Sequence, residues 1–178
     1  MPHSSYDFVT QWAIRAPQEQ VWKLLMNPEE WPAWWRGVEQ VALVRPGVDA
    51  LGTAAVRQYT WRSRLPYRLT FTMVTTRIEP MALIEGQATG ELEGSGKWRL
   101  SHSGGVTHVR YDWQVVANKW WMRWLAPIAR PLFEWNHDVV MDWGRQGLLR
   151  RVGASNEPPN RVDPADVAAV CSKMSARE

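Results

Sequence analysis

The chain has 178 residues, 45% of them hydrophobic and 22% charged, with a formal charge of +3; this is one domain of ordinary size, too apolar to stay disordered and large enough to bury a core without disulfides or metals. Uncharged stretches such as Leu69 to Thr76 and Leu100 to Val109 fall far short of the ~20 apolar residues of a membrane-spanning helix, and the N-terminus, Met-Pro-His-Ser-Ser-Tyr-Asp, lacks the basic start and apolar core of a secretory signal. The single cysteine, Cys171, excludes an intrachain disulfide, so a reducing, cytoplasmic location is expected.

Residues 6 to 14 alternate with Phe8, Trp12 and Ile14 on one side, the period of a half-buried strand. Ala16-Pro17 then introduces a helix with Glu19 in its first turn and Val21, Trp22, Leu24 and Leu25 on one face. Asn27-Pro28 ends it, and Pro28 to Trp35 reads as a second short helix packed by Trp31, Trp34 and Trp35. From Gly37 to Asn118 the chain reads as a β-meander, with strands expected near 38–45, 53–62, 67–79, 82–91, 97–103 and 107–117. The expected breaks are Pro46-Gly47, Leu65-Pro66, Glu79-Pro80, Gly94-Ser95-Gly96 and Gly104-Gly105, which supply the fixed φ or backbone freedom a reversal needs.

After Asn118-Lys119 the period becomes helical, with a stripe through Trp121, Leu125, Ile128, Leu132, Val139 or Val140, Trp143 and Gly147. One amphipathic helix to about Arg151 is expected, kinked by Pro127 and Pro131. Residues 1–152 are thus expected to form one domain. Residues 153–178, with Pro158-Pro159 and an Asp163-Pro164 cap for a short helix through Val170, read as a flexible tail.

Three segments resemble the START-like, or SRPBCC, superfamily: Ile14-Arg-Ala-Pro-Gln-Glu-Gln-Val-Trp22, Asn27-Pro-Glu-Glu-Trp-Pro-Ala-Trp-Trp35, and the late hairpin from Gly90 through Trp98. The closing helix, Leu125 to Asp138, is similar to the polyketide cyclase/dehydrase and lipid-transport branch. The resemblance covers roughly residues 8–150 and implies an α+β helix-grip fold. In that fold a curved antiparallel sheet wraps a long C-terminal helix, with two short helices after the first strand. The superfamily includes ligand carriers, hormone receptors, aromatase/cyclases and quinone-binding proteins.

A curved sheet around a helix leaves a concavity of the kind that takes small ligands, unless side chains fill it. The 13 tryptophans must line something. Tyr67, Leu69, Phe71 and Met73 share one strand face, Trp98 and Leu100 another, and Val109, Tyr111, Trp113 and Val115 a third. Tyr67, Phe71, Trp98, Tyr111 and Trp113 are therefore candidate ligand contacts from the sheet, and Leu132, Asn136 and Val140 from the helix stripe. Asn136 is the sharpest of them, because a polar side chain on an apolar stripe must be satisfied by a ligand, by water or by protein. His137, about 100° around the helix, sits at the border of the stripe; adjacent helical residues point apart, so Asn136-His137-Asp138 is no local triad.

The resemblance also makes Glu85 and Arg68 candidates for orienting a ligand, although the alternation of 83–88 puts Glu85 more simply on a solvated face. Glu91 and Glu93 read as a solvated edge rather than a catalytic pair. Gly86-x-x-x-Gly90-x-x-x-Gly94-x-Gly96 is followed by a strand, so turns, bulges or close packing explain it better than a phosphate loop. The four histidines and one cysteine show no metal-ligand spacing, and neither metal nor cofactor is expected. Lys and Arg are interspersed with acids, and Arg57, Arg62, Arg64 and Arg68 are too sparse for a nucleic-acid surface. Lys119-Trp120-Trp121-Met122-Arg123-Trp124 reads either as a transient membrane-surface contact or as the helix start packed over the cavity mouth; no protein partner is implied. The expected function is binding or carriage of a small hydrophobic ligand, aromatic, polyketide-like or lipid-like, with a cyclase/dehydrase-like enzyme using the same cavity as the alternative.

Overall fold

The computed structural model describes residues 5–118 and 120–156, by backbone alone over 120–129 and 154–156. In chain order it runs β1 (Ser5–Ile14), α1 (Gln18–Leu25), a 3-10 helix (Pro28–Ala33), β2 (Val38–Arg45), β3 (Val56–Arg62), β4 (Arg68–Glu79), β5 (Leu83–Gly90), β6 (Leu92–Ser103), β7 (Val106–Ala117) and α2 (Trp120–Asn156). Each strand from β2 on pairs antiparallel with the next, and β1 closes onto β7, giving the order β1-β7-β6-β5-β4-β3-β2. The curved sheet, the long closing helix and two short helices after β1 make the α+β helix-grip fold. Among the described residues no helix is long and apolar enough to cross a membrane.

Alternation decides which strand faces look inward. Tyr6, Trp12 and Ile14 on β1 are buried, as are Trp98 and Leu100 on β6 and Val109, Trp113 and Val115 on β7. Their neighbours between are mostly exposed, and several carry charge. On the outer face those charges form ion pairs, including Arg68–Glu39, Lys97–Glu85 and Arg99–Asp112; exposed pairs of this kind contribute about 0–1 kcal/mol each.

The expected turn at Gly94-Ser95-Gly96 is not one: β6 begins at Leu92 and runs straight through it. The reversal falls at Glu91, beside Gly90 with φ +111°. There Asn118 Nδ2 donates to the Gly90 carbonyl at 2.9 Å, and Glu91 Oε2 accepts the Thr70 N–H at 2.7 Å. Glycine is needed inside β6 for space. A Cβ on Gly94 would stand 2.0 Å from the Gln114 carbonyl oxygen, and one on Gly96 2.9 Å from the Trp113 ring.

The closing helix runs unbroken through Pro127 and Pro131 and reaches Asn156, the last described residue, five residues beyond the expected Arg151. It docks on the tryptophans that follow α1. Trp35, 1% exposed, donates from Nε1 to the Val140 carbonyl at 2.9 Å. Gly144 and Gly147 let the rings approach: a Cβ would come within 2.3 Å of Trp35 and 1.9 Å of the Trp34 carbonyl oxygen. Truncating Trp35 to alanine would remove about 3–5 kcal/mol of this packing. The tail from residue 157 on, with Cys171 and its expected short helix, and the side chains of Lys119 to Trp124 lie outside the described residues.

Candidate functional site

Between the inner face of the sheet and α2 lies a cavity of about 210 Å³. Its wall is a closed circuit of six rings. Tyr59 stacks on Phe71 at 5.7 Å, Phe71 meets Trp113 at 5.7 Å, Trp113 meets Tyr111 at 5.8 Å, and Tyr111 stacks on Trp98 at 4.0 Å. Trp98 then reaches Trp31 at 6.4 Å, and Trp31 returns to Tyr59 at 5.8 Å. Alternate residues of β3, β4, β6 and β7 supply five of these rings; the 3-10 helix supplies Trp31. Gly86 and Gly96, opposite one another on β5 and β6, take no room on this face and leave it to the neighbouring rings.

Seven of the eight residues expected at the site line this cavity: Tyr67, Phe71, Trp98, Tyr111, Trp113, Asn136 and Val140. Leu132 does not. It is 46% exposed, while Phe133 is buried and lines the cavity. The inward line of α2 runs through Phe133, His137, Met141, Gly144 and Leu148, and Leu132 stands about 100° around from Phe133. The expected stripe passes through Leu132 and Val140 with Asn136 between them; Asn136 and Val140 flank the inward line and still line the cavity, while Leu132 falls off the face.

Polar groups are few, and several lack a protein partner. Asn136 Oδ1, both ring nitrogens of His137, Tyr6 Oη and Trp61 Nε1 are buried without hydrogen bonds. His137 stacks on Phe8 at 4.1 Å, so it lies in the cavity rather than at the border of the stripe. Burial holds its pKa below the usual 6.5, with the Asp138 carboxylate opposing. Burial likewise pushes the Tyr67 hydroxyl up to about 12 and raises Tyr6, Tyr59 and Tyr111, so these phenols stay protonated at neutral pH.

The alternation missed one cation. Arg57 shares the inner face of β3 with Tyr59 and Trp61 and lines the cavity. Its side chain is 17% exposed, and Nε donates to Glu29 Oε1 at 2.9 Å. The parity with two inward rings was the available signal. Arg68, in contrast, is 66% exposed and paired with Glu39, and Glu85 is paired with Lys97; neither carries a free charge into the cavity. Glu93 accepts from Asn118. A wider concavity, about 920 Å³, is bordered by Arg77, Glu79, Glu85, Lys97, Arg99 and Arg110, and these charges already pair among themselves and with Asp112. The apolar cavity is therefore the candidate site. Among the described residues no three His, Cys, Asp or Glu side chains gather as a metal-ligand set.

Residues 6–151 match the model of the family described as polyketide cyclase/dehydrase and lipid transport. No curated protein sequence matches the chain. Among solved structures, the di-domain ARO/CYC BexL from the BE-7585A biosynthetic pathway superposes with a TM-score of 0.69 at 17% identity, covering 89% of this chain and 52% of BexL. The Zhui aromatase/cyclase from a Streptomyces species gives 0.66 at 15% identity, covering 84% of this chain and 94% of that one. A START superfamily protein from Mycobacterium smegmatis gives 0.68 at 12% identity, covering 84% and 99%. At these identities the likeness is one of fold, and the chain spans about half the length of BexL.

Proposed function

Because the chain belongs to the polyketide cyclase/dehydrase and lipid transport family, we propose that it binds a small hydrophobic ligand, aromatic, polyketide-like or lipid-like, between sheet and closing helix, as a carrier or binding protein. The observation that supports this reading is the closed circuit of six rings around the cavity. Flat apolar surfaces on several sides favour a flat apolar ligand through burial and offset or edge-to-face ring contacts, each worth about 0.5–1.5 kcal/mol beyond area. At about 210 Å³, the space exceeds the ~150 Å³ apolar cavity that admits benzene, so a one- or two-ring probe suits it.

Arg57 favours a second reading, an enzyme of the cyclase/dehydrase type. A guanidinium beside an apolar chamber stabilises negative charge developing on an enolate oxygen far better than water does. Its pairing with Glu29 already meets that charge, which is why binding is the first reading.

Mass spectrometry of the denatured, freshly purified protein tests for a retained apolar ligand, and titration with anilinonaphthalene sulfonate tests the cavity directly. Saturable fluorescence that a tighter apolar ligand displaces is the expected result. Absence of saturable binding by any apolar probe would sink the reading.

A further inference from the structure

Among the polar groups of the cavity, His137 is held in the most defined way and has the least to bond. Its ring lies 10° from parallel to Phe8 at 4.1 Å, and the side chain is 14% exposed. Neither ring nitrogen makes a hydrogen bond. Nδ1 stands 3.5 Å from Asp138 Oδ1, but that carboxylate belongs to a side chain 78% exposed and turned to solvent. From β1, Tyr6 flanks Phe8 at 5.8 Å and its hydroxyl is also unpartnered; on α2, so is Asn136 Oδ1. The nearby charges on α2, Arg130 and Glu134, pair with each other at 3.0 Å.

The inventory of donors and acceptors narrows what would satisfy these groups. Neutral histidine offers one N–H donor and one acceptor nitrogen, Asn136 Oδ1 only accepts, and Tyr6 does either. A carboxylate or phosphate accepts only, so it would leave Asn136 Oδ1 unpaired, and it would have to bring its charge into an apolar wall. A bare hydrocarbon would leave every orphan as it is. A hydroxyl both donates and accepts.

We propose that His137 hydrogen-bonds a hydroxyl of the cavity's ligand, and that this contact selects hydroxylated apolar molecules over hydrocarbons of the same shape. The inference rests on the ligand-binding reading above. A buried site built for a hydroxyl rejects the analogue that lacks one because its own polar atoms then go unpaired.

The test uses naphthol and naphthalene, which differ by that one group, with the full chain, its His137→Phe variant and its His137→Gln variant. Phenylalanine keeps a ring on Phe8 and removes both nitrogens; glutamine keeps a donor and an acceptor. The ratio of naphthol to naphthalene affinity is expected to fall about tenfold in His137→Phe, the size of one hydrogen bond of about 1.4 kcal/mol. Naphthalene binding is expected to hold, and the ratio to recover in part in His137→Gln. An unchanged ratio, or equal losses for both probes, would overturn the assignment of His137 while leaving the cavity reading intact. Failure of the unaltered chain to bind either probe would overturn both.

Discussion

Gly96→Ala tests the cavity wall most directly. The added Cβ would stand 2.7 Å from Tyr111 Oη and 2.9 and 3.0 Å from Trp113 Cε3 and Cζ3, so the rings must retreat by roughly 0.5–1 Å to reach ordinary contact. Tyr111 is stacked on Trp98 at 4.0 Å and cannot yield in that direction; the free space is the cavity. Overpacking of this kind costs about 1–3 kcal/mol, and replacing glycine inside a strand returns about 0.5–1 kcal/mol of chain entropy. The net loss is therefore about 0–2.5 kcal/mol, or up to about 10 °C in melting temperature for a chain of this size. Affinity for an apolar dye should fall with it, because the displaced rings occupy ligand space. Thermal melts and dye titration read the two effects. Gly153→Ala is the control: nothing lies within 4 Å of its added Cβ, and it should stabilise slightly. If Gly96→Ala changed neither melting temperature nor dye affinity, the rings would not lean on Gly96 and the argument for the wall would fail.

Asn136→Leu separates ligand service from structural service. With Oδ1 unpartnered in the protein, stability should hold or rise while naphthol affinity falls by about 1–3 kcal/mol; a destabilised protein with intact affinity would contradict this. Stability should also depend on pH through His137. Because its folded pKa is depressed below 6.5, the unfolded chain takes up the proton first as pH falls, so stability is full above that value and declines below it until the folded state also protonates. Urea melts should show a shallower decline between roughly pH 7 and 5 in His137→Phe; identical slopes would refute the assignment. We further expect truncation after Asn156 to leave the melting temperature within about 2 °C, since Val152, 3% exposed, is the last buried anchor of α2 among the described side chains; a larger drop would mean that residues beyond it pack on the domain.

Period-two alternation carried most of the fold, because it depends only on which side of a pleat is dry. It put Tyr67, Leu69, Phe71 and Met73 together, and Val109, Tyr111, Trp113 and Val115, and the cavity is built from those faces. The same logic applied to 57, 59 and 61 would have delivered Arg57, but a charge on an inward face is masked by the expectation that charges point to water. The helix phase was harder to read. Apolar residues occur on several sides of α2, so Leu132 and Phe133 were equally plausible continuations of the stripe, and the choice is made by Tyr6, which meets Phe133 edge-on at 5.9 Å. That contact joins residues far apart in sequence and leaves no local trace. Gly94-Ser95-Gly96 failed for a similar reason: its glycines leave room for neighbours on β7, and the positive φ of Gly94, +153°, falls inside a strand rather than at a turn.

The crowding of indoles has an optical consequence. Trp35 lies 5.5 Å from Trp12, 5.1 Å from Trp31, 5.5 Å from Trp34, 5.3 Å from Trp61 and 6.2 Å from Trp98. At such separations their electronic transitions couple, so light absorbed by one is shared among its neighbours before it is emitted. The near-ultraviolet circular dichroism of the folded chain should then belong to the cluster as a whole, and no single tryptophan replacement would subtract only its own band. Four members of the cluster, Trp31, Trp35, Trp61 and Trp98, also face the cavity, which makes the protein its own spectroscopic reporter: a ligand touching any one ring would alter the signal of all of them.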